Sequence, residues 1–170
     1  MHQGDDPQNK AAGYDLSPRS GMISLDVPEG VVHPVPGGVD DHHITVVYLG
    51  KDVDDELLTQ VLMQVGPVAA AAPGPLAGML SGIATFPPSG SSDGMVPAFI
   101  PARVPGSEKL RADLEHLSAS EHTDWAPHVT LAYLEQGEPL PAPHPPVPVT
   151  FTHLSVHRGD EVYRFPLGGE

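Results

Sequence analysis

The chain has 170 residues and a formal net charge of −14, from 8 Lys and Arg against 22 Asp and Glu. A surface this negative repels long polyphosphates at range, which weighs against a dedicated duplex or tRNA binder. The absence of cysteine excludes disulfides and cysteine-based zinc or nucleophile chemistry, and no apolar run approaches the ~20 residues that a membrane span needs.

The length fits one domain, and 18 Gly with 21 Pro predict many turns and long loops. Residues 1–19 are polar, broken by Pro7, Gly13 and Pro18, and read as a flexible arm. They lack the basic start and apolar stretch of a signal peptide. The expectation is a cytoplasmic protein, in a bacterium or a virus-infected cell, with residues 20–170 as a single domain.

A strand is predicted over Met22–Val27, then a turn-rich loop over 28–41 and a strand over 42–50. Val53–Val65 reads as a helix, with Leu57, Leu58, Val61, Leu62 and Val65 at helical spacing and Gly66-Pro67 as its end. Residues 68–78 read as a loop or a short extra turn. Strands follow over 79–86 and 95–104, the second irregular or at an edge because of Pro97 and Pro101. Ser107–Ser120 is a second helix with Ser107 as its N-cap. A strand entered through Pro127 covers 125–134, then a proline-rich loop covers 137–148. Strands over 149–157 and 161–167 close the chain as a hairpin.

The most informative feature is a repeat. His43-Ile44-Thr45-Val46-Val47-Tyr48-Leu49 matches His128-Val129-Thr130-Leu131-Ala132-Tyr133-Leu134, 85 residues later. Each half offers a strand, a helix and further strands. The fold class expected is therefore α+β, two pseudo-symmetric lobes around a central cleft, each an antiparallel sheet with a helix. Side chains alternate along a strand, so His43 and Thr45 share one face, as do His128 and Thr130. Tyr48 and Tyr133 are expected behind them, in the core.

Two imidazoles and two hydroxyls converging on one cavity suit phosphodiester cleavage. Histidine titrates near neutrality, so one ring can act as base and the other as acid. Threonine hydroxyls can bond the non-bridging oxygens and hold phosphorus in line. No metal or cofactor is needed. Trp125, just before the second motif, is a candidate for stacking a base, or else an anchor for the incoming loop. Arg103, Arg158 and Arg164 are rare cations that could meet a phosphate, with a surface pairing the favoured reading for each. His33, His144, His153 and His157 read as surface residues, and His42 as facing away from the cleft.

His43-Ile44-Thr45-Val46 and Pro127-His128-Val129-Thr130-Leu131 resemble the paired signatures of the two-histidine (2H) phosphoesterases, the 2′-5′ RNA ligase-like proteins, over residues 20–167. The resemblance implies two α+β lobes around a cleft and metal-independent 2′,3′-cyclic or 2′-5′ phosphodiesterase chemistry. It carries over His43, Thr45, His128 and Thr130 as catalytic residues. The substrate expected is a small 2′-linked or cyclic nucleotide: a cyclic dinucleotide, a 2′-5′ oligonucleotide or a 2′,3′-cyclic phosphate. Some viral members of this superfamily degrade such signals, so a counter-defence role is one expectation. Alternatives are an RNA-end processing enzyme and a non-catalytic nucleotide-binding module. The partners expected are a small nucleotide, not long nucleic acid or a membrane, with the protein a monomer.

Overall fold

The computed structural model describes residues 19–120 and 124–168. Nearly all of the arm expected over residues 1–19 lies outside the described residues, as does His122. The described strands are β1 (Gly21–Asp26), β2 (His43–Gly50), β3 (Leu76–Gly82), β4 (Ala84–Thr85), β5 (Val96–Arg103), β6 (His128–Leu134), β7 (His144–Phe151), β8 (His153–Arg158) and β9 (Glu161–Pro166). Helix α1 spans Asp55–Ala71 and α2 spans Ser107–Leu114, the latter continued by a 3-10 turn, Glu115–Leu117.

The strands form an antiparallel sheet in the order β7-β3-β5-β6-β2-β1-β8-β9, with β4 on β5. Its two halves meet where β2 pairs with β6 at Ile44 and Val129. From that junction the order outward is β2-β1-β8-β9 on one side and β6-β5-β3-β7 on the other. These are the two expected lobes, and the fold is the α+β architecture that the repeat implies. Ile44, Val46, Val129 and Leu131 lie on the buried face and are almost fully excluded from solvent.

Helix α1 begins at Asp54, whose side chain accepts the Leu57 N–H at 2.8 Å. It buries Leu58, Val61, Val65 and Ala69, an i, i+3, i+4 stripe laid on β8 and β9. The helix does not stop at Gly66-Pro67 as the sequence suggested; Pro67 lies inside it. A mid-helix proline costs ~3 kcal/mol, but the apolar stripe continues past it to Ala69. Burying each large apolar side chain contributes ~1.5–3 kcal/mol, so packing keeps the helix going.

Three other expectations change. Ser107 is the first residue of α2 rather than its cap; Gly106 takes the cap position at φ 98°, and the Ser107 hydroxyl donates to Val104 O at 2.7 Å. Strand β5 is irregular, with a register shift between Ala98 and Phe99, but it is central rather than marginal. The proline-rich stretch from His144 is strand β7, at the end of the sheet order, where missing N–H groups go unneeded. The final hairpin, β8 with β9, forms as expected. Among the described residues no helix is long and apolar enough to cross a membrane.

Candidate active site

The two motif strands run antiparallel at the junction of the lobes. With Ile44 opposite Val129, the register sets His43 opposite Thr130 and Thr45 opposite His128. His43 and His128 are then diagonal neighbours on one face, about 7–8 Å apart at the backbone. They line one cavity of about 130 Å³ together with Thr45, Thr130, Tyr133, Asp41 and Val39. All four motif side chains singled out from sequence are brought together there.

Each histidine has its own electrostatic setting. Nδ1 of His128 lies 2.9 Å from the Ala126 carbonyl. A carbonyl can only accept, so Nδ1 carries the proton and Nε2 of the neutral ring keeps its lone pair. Phe86 and Phe99 flank this ring, with centroids 5.0 Å from it. Burial holds the His128 pKa below its ordinary value, partly opposed by the bond to Ala126. His43 is more enclosed, its side chain 13% exposed, and Nδ1 lies 4.0 Å from the Asp41 carboxylate. Burial lowers its pKa as well, while Asp41 and Asp26 pull the other way. Asp26 is the cross-strand neighbour of His43 on β1.

The Thr45 hydroxyl donates only to the Met22 sulfur, at 3.6 Å. Thioether sulfur is a weak acceptor, so this hydroxyl is easily redirected to a stronger acceptor in the cavity. Thr130 is hydrogen-bonded to Tyr133, whose pKa burial raises and that bond lowers in part.

Tyr133 was expected in the core, and strand alternation was the reason. The structure corrects this with a bulge in each motif strand. On β6, Thr130 pairs with Phe99 but Ala132 pairs with Ala98, so Leu131 is the extra residue. On β2, Thr45 pairs with Ser24 but Val47 pairs with Ile23, so Val46 is the extra residue. A bulge inserts one residue and reverses the alternation beyond it. Tyr133 therefore turns to the cavity, and Tyr48 joins the same face on β2. The Tyr shared by both copies of the motif was the available signal: it recurs at one offset from the histidine, as a functional position would.

The carbonyl freed by each bulge is held by a donor from outside the motif strands. Arg111 of α2 donates to Val46 O at 2.7 Å. The Val39 N–H donates to Leu131 O at 2.7 Å, tying the 27–42 loop across β6. That loop is further fixed where the His33 N–H donates to Nε2 of His144 at 3.1 Å. His144 is thus buried rather than a surface residue, and His157 pairs with Asp26 at 3.3 Å. His42 does not line the cavity. Trp125 packs against the core, and its indole N–H donates to Thr45 O at 2.9 Å. Arg158 is paired, with Asp55 and Glu161. The side chains of Arg103 and Arg164 make no hydrogen bond or ion pair among the described residues. Phe86, Phe99 and Asp41 carried no sequence signal, because strand pairing and a loop bring them in from outside the motifs.

Two copies of one strand pattern, each placing a His-x-Thr face on a shared cavity, give the fold of a 2H phosphoesterase. The chain is similar to TT0787 of Thermus thermophilus, with a TM-score of 0.65 and 20% identity over 89% of this chain and 99% of that one. It is similar to E. coli LigT complexed with 3′-AMP, with a TM-score of 0.56 and 17% identity over 89% and 96% of the two chains. It is similar to Usb1 of Kluyveromyces marxianus, with a TM-score of 0.57 and 11% identity over 88% and 98%. At these identities the likeness is one of fold. No protein-family model and no curated protein matches the sequence.

Proposed function

We propose that the protein is a phosphodiesterase that cleaves a small 2′-linked or cyclic nucleotide by two-histidine acid–base catalysis, with no step that requires a metal. The observation that carries this reading is the single cavity lined by His43, Thr45, His128 and Thr130. E. coli LigT, similar in fold, has been solved with 3′-AMP and with ATP, which supports a nucleotide as ligand.

The surroundings divide the roles. His128, set among Phe86 and Phe99 with its Nδ1 proton fixed, is the base through Nε2. His43, where the carboxylates of Asp41 and Asp26 favour the imidazolium against burial, is the acid. On a 2′-5′ bond with a free 3′-hydroxyl, His128 takes the hydroxyl proton as O3′ attacks phosphorus. The P–O5′ bond breaks, and His43 delivers its proton to O5′. On a 2′,3′-cyclic phosphate, His128 deprotonates water, which attacks phosphorus, and His43 protonates the departing ribose oxygen. Thr45 and Thr130 donate to the non-bridging oxygens, where negative charge builds. Burial favours two neutral rings in the empty site; the arriving phosphate anion favours the imidazolium. Degradation of a 2′-linked signal in a virus-infected cell is a setting consistent with this chemistry.

The test is turnover of cyclic dinucleotides, 2′-5′ oligoadenylate and 2′,3′-cyclic mononucleotides, with and without chelator. At least one is cleaved at a rate unaffected by EDTA, and His43→Ala and His128→Ala each slow it by about 10²–10⁴-fold. Loss of activity in EDTA that a divalent ion restores contradicts the scheme. Tight nucleotide binding without turnover of any of them favours a binding module instead.

A further inference from the structure

The two lobes share a fold but not a charge. On the concave face of the first lobe, Asp26 lies beside His43, with Ser24 and His157 bonded to it at 2.7 and 3.3 Å. Burial pulls the Asp26 pKa upward, but the bonds from His157 and Ser24 outweigh it and hold the carboxyl well below its ordinary range. Asp41 lines the cavity, so two carboxylates lie close to His43 on this half of the cleft.

The second lobe offers the reverse. Phe86 and Phe99 stack with centroids 4.2 Å apart, beside the His128 ring. Phe86 is 38% exposed, a large aromatic surface edge-on to the His128 ring. Along β5, Phe99 is opposite Thr130 and Pro101 is opposite His128, so these odd-numbered positions share the catalytic face. Arg103 is next on that face, paired with the exposed Met79 and about 7 Å beyond Pro101 along the strand. Arg19, Lys109, Arg111 and Arg158 all meet carboxylates. Arg103 has no such partner among the described residues. Arg103 lies on the same strand face as Phe99, about 13 Å along β5 from it; in a chain with 22 acidic residues and 8 basic ones, a guanidinium that meets no carboxylate among the described residues and an exposed aromatic pair on one face are matched to an anion carrying a ring.

We propose that the concave face of the second lobe binds one nucleotide beyond the scissile phosphate, with its base on Phe86 and Phe99 and its own phosphate on Arg103, so that the preferred substrate is an oligonucleotide whose charged end lies over this lobe. The inference rests on the phosphodiesterase reading and gives that site a direction. A base stacked on an aromatic side chain contributes about 1–3 kcal/mol, and guanidinium matches phosphate through paired N–H donors. The carboxylates of the first lobe repel a second phosphate on their side, so the leaving group there is the uncharged end.

The experiment compares equilibrium binding of three 2′-5′-linked diadenosines: without a terminal phosphate, with one at the 5′ end, and with one at the other end. The protein carries His128→Ala so that nothing is consumed. The 5′-phosphorylated form binds about tenfold tighter than the bare dinucleotide, and the form phosphorylated at the other end binds no tighter. In the Arg103→Gln form that tenfold ratio collapses towards one, and in the Arg164→Gln form it persists. Phe86→Ala weakens all three. Equal affinity for the three ligands, or a ratio that survives Arg103→Gln or is lost equally with Arg164→Gln, overturns the inference and leaves the phosphodiesterase reading standing. Absence of binding by any of the three, together with no turnover by the wild type, overturns both.

Discussion

The indole N–H of Trp125 donates to the main-chain carbonyl of Thr45 at 2.9 Å, joining residues 80 apart in sequence. Trp125 immediately precedes the second motif, and Thr45 is in the first. The residue that leads into one motif strand thus fixes the backbone of the other, just before the Val46 bulge.

Replacing Trp125 by Phe keeps the apolar body and removes the donor. The Thr45 carbonyl loses its partner, which costs about 1 kcal/mol of stability. The larger effect falls on the chemistry, because a shifted Thr45 no longer meets the phosphate in line: kcat drops about tenfold or more while KM stays near the wild-type value. Steady-state kinetics separate this from base stacking by Trp125, which would raise KM and spare kcat.

The pH dependence follows from burial. Desolvation is the leading cause at both His43 and His128 and favours the neutral ring, so both pKa values in the free protein lie below the ordinary 6.5. Catalysis needs one ring protonated and one neutral, and kcat/KM reports the free protein. Its bell therefore peaks on the acid side of pH 6.5, while kcat, measured with the anion bound, peaks at higher pH. Asp41→Asn removes a carboxylate that raises the His43 pKa, and shifts the kcat/KM bell further towards acid. A kcat/KM maximum on the alkaline side of neutrality contradicts this.

Gly38 is needed for its missing side chain. A Cβ there would lie 2.5 Å from Leu131 O and from the Val35 side chain. Gly38→Ala pushes the 27–42 loop off β6, strains the adjacent Val39–Leu131 bond and displaces Asp41 from His43. Overpacking of this kind costs about 1–3 kcal/mol. Thermal unfolding shows the loss, and turnover falls with it.

The lobes and the four motif residues were legible in the sequence because a duplicated His-x-Thr strand states both a fold and a cavity. The rest depended on effects that a one-dimensional pattern does not carry. Tyr133 looked like core because alternation runs unbroken on paper, while the bulge at Leu131 depends on a bond from Val39 in a distant loop. Helix α1 looked finished at Gly66-Pro67 because the local cost was visible and the packing of Ala69 was not. Phe86 and Phe99 reach His128 only through strand pairing. Arg103, expected to be paired, meets no carboxylate among the described residues: its cross-strand partner is Met79 and the neighbour on its strand face is Pro101.

The central claim is that His43 and His128 grip one phosphate between them. Side-chain ¹⁵N spectra of the histidines, followed while 2′-AMP or 3′-AMP is added, test it directly. The rings of His43 and His128 shift together, with one dissociation constant and towards the imidazolium form, while His33 and His153 stay still. Two rings that respond with different constants, or only one that responds, would contradict the account.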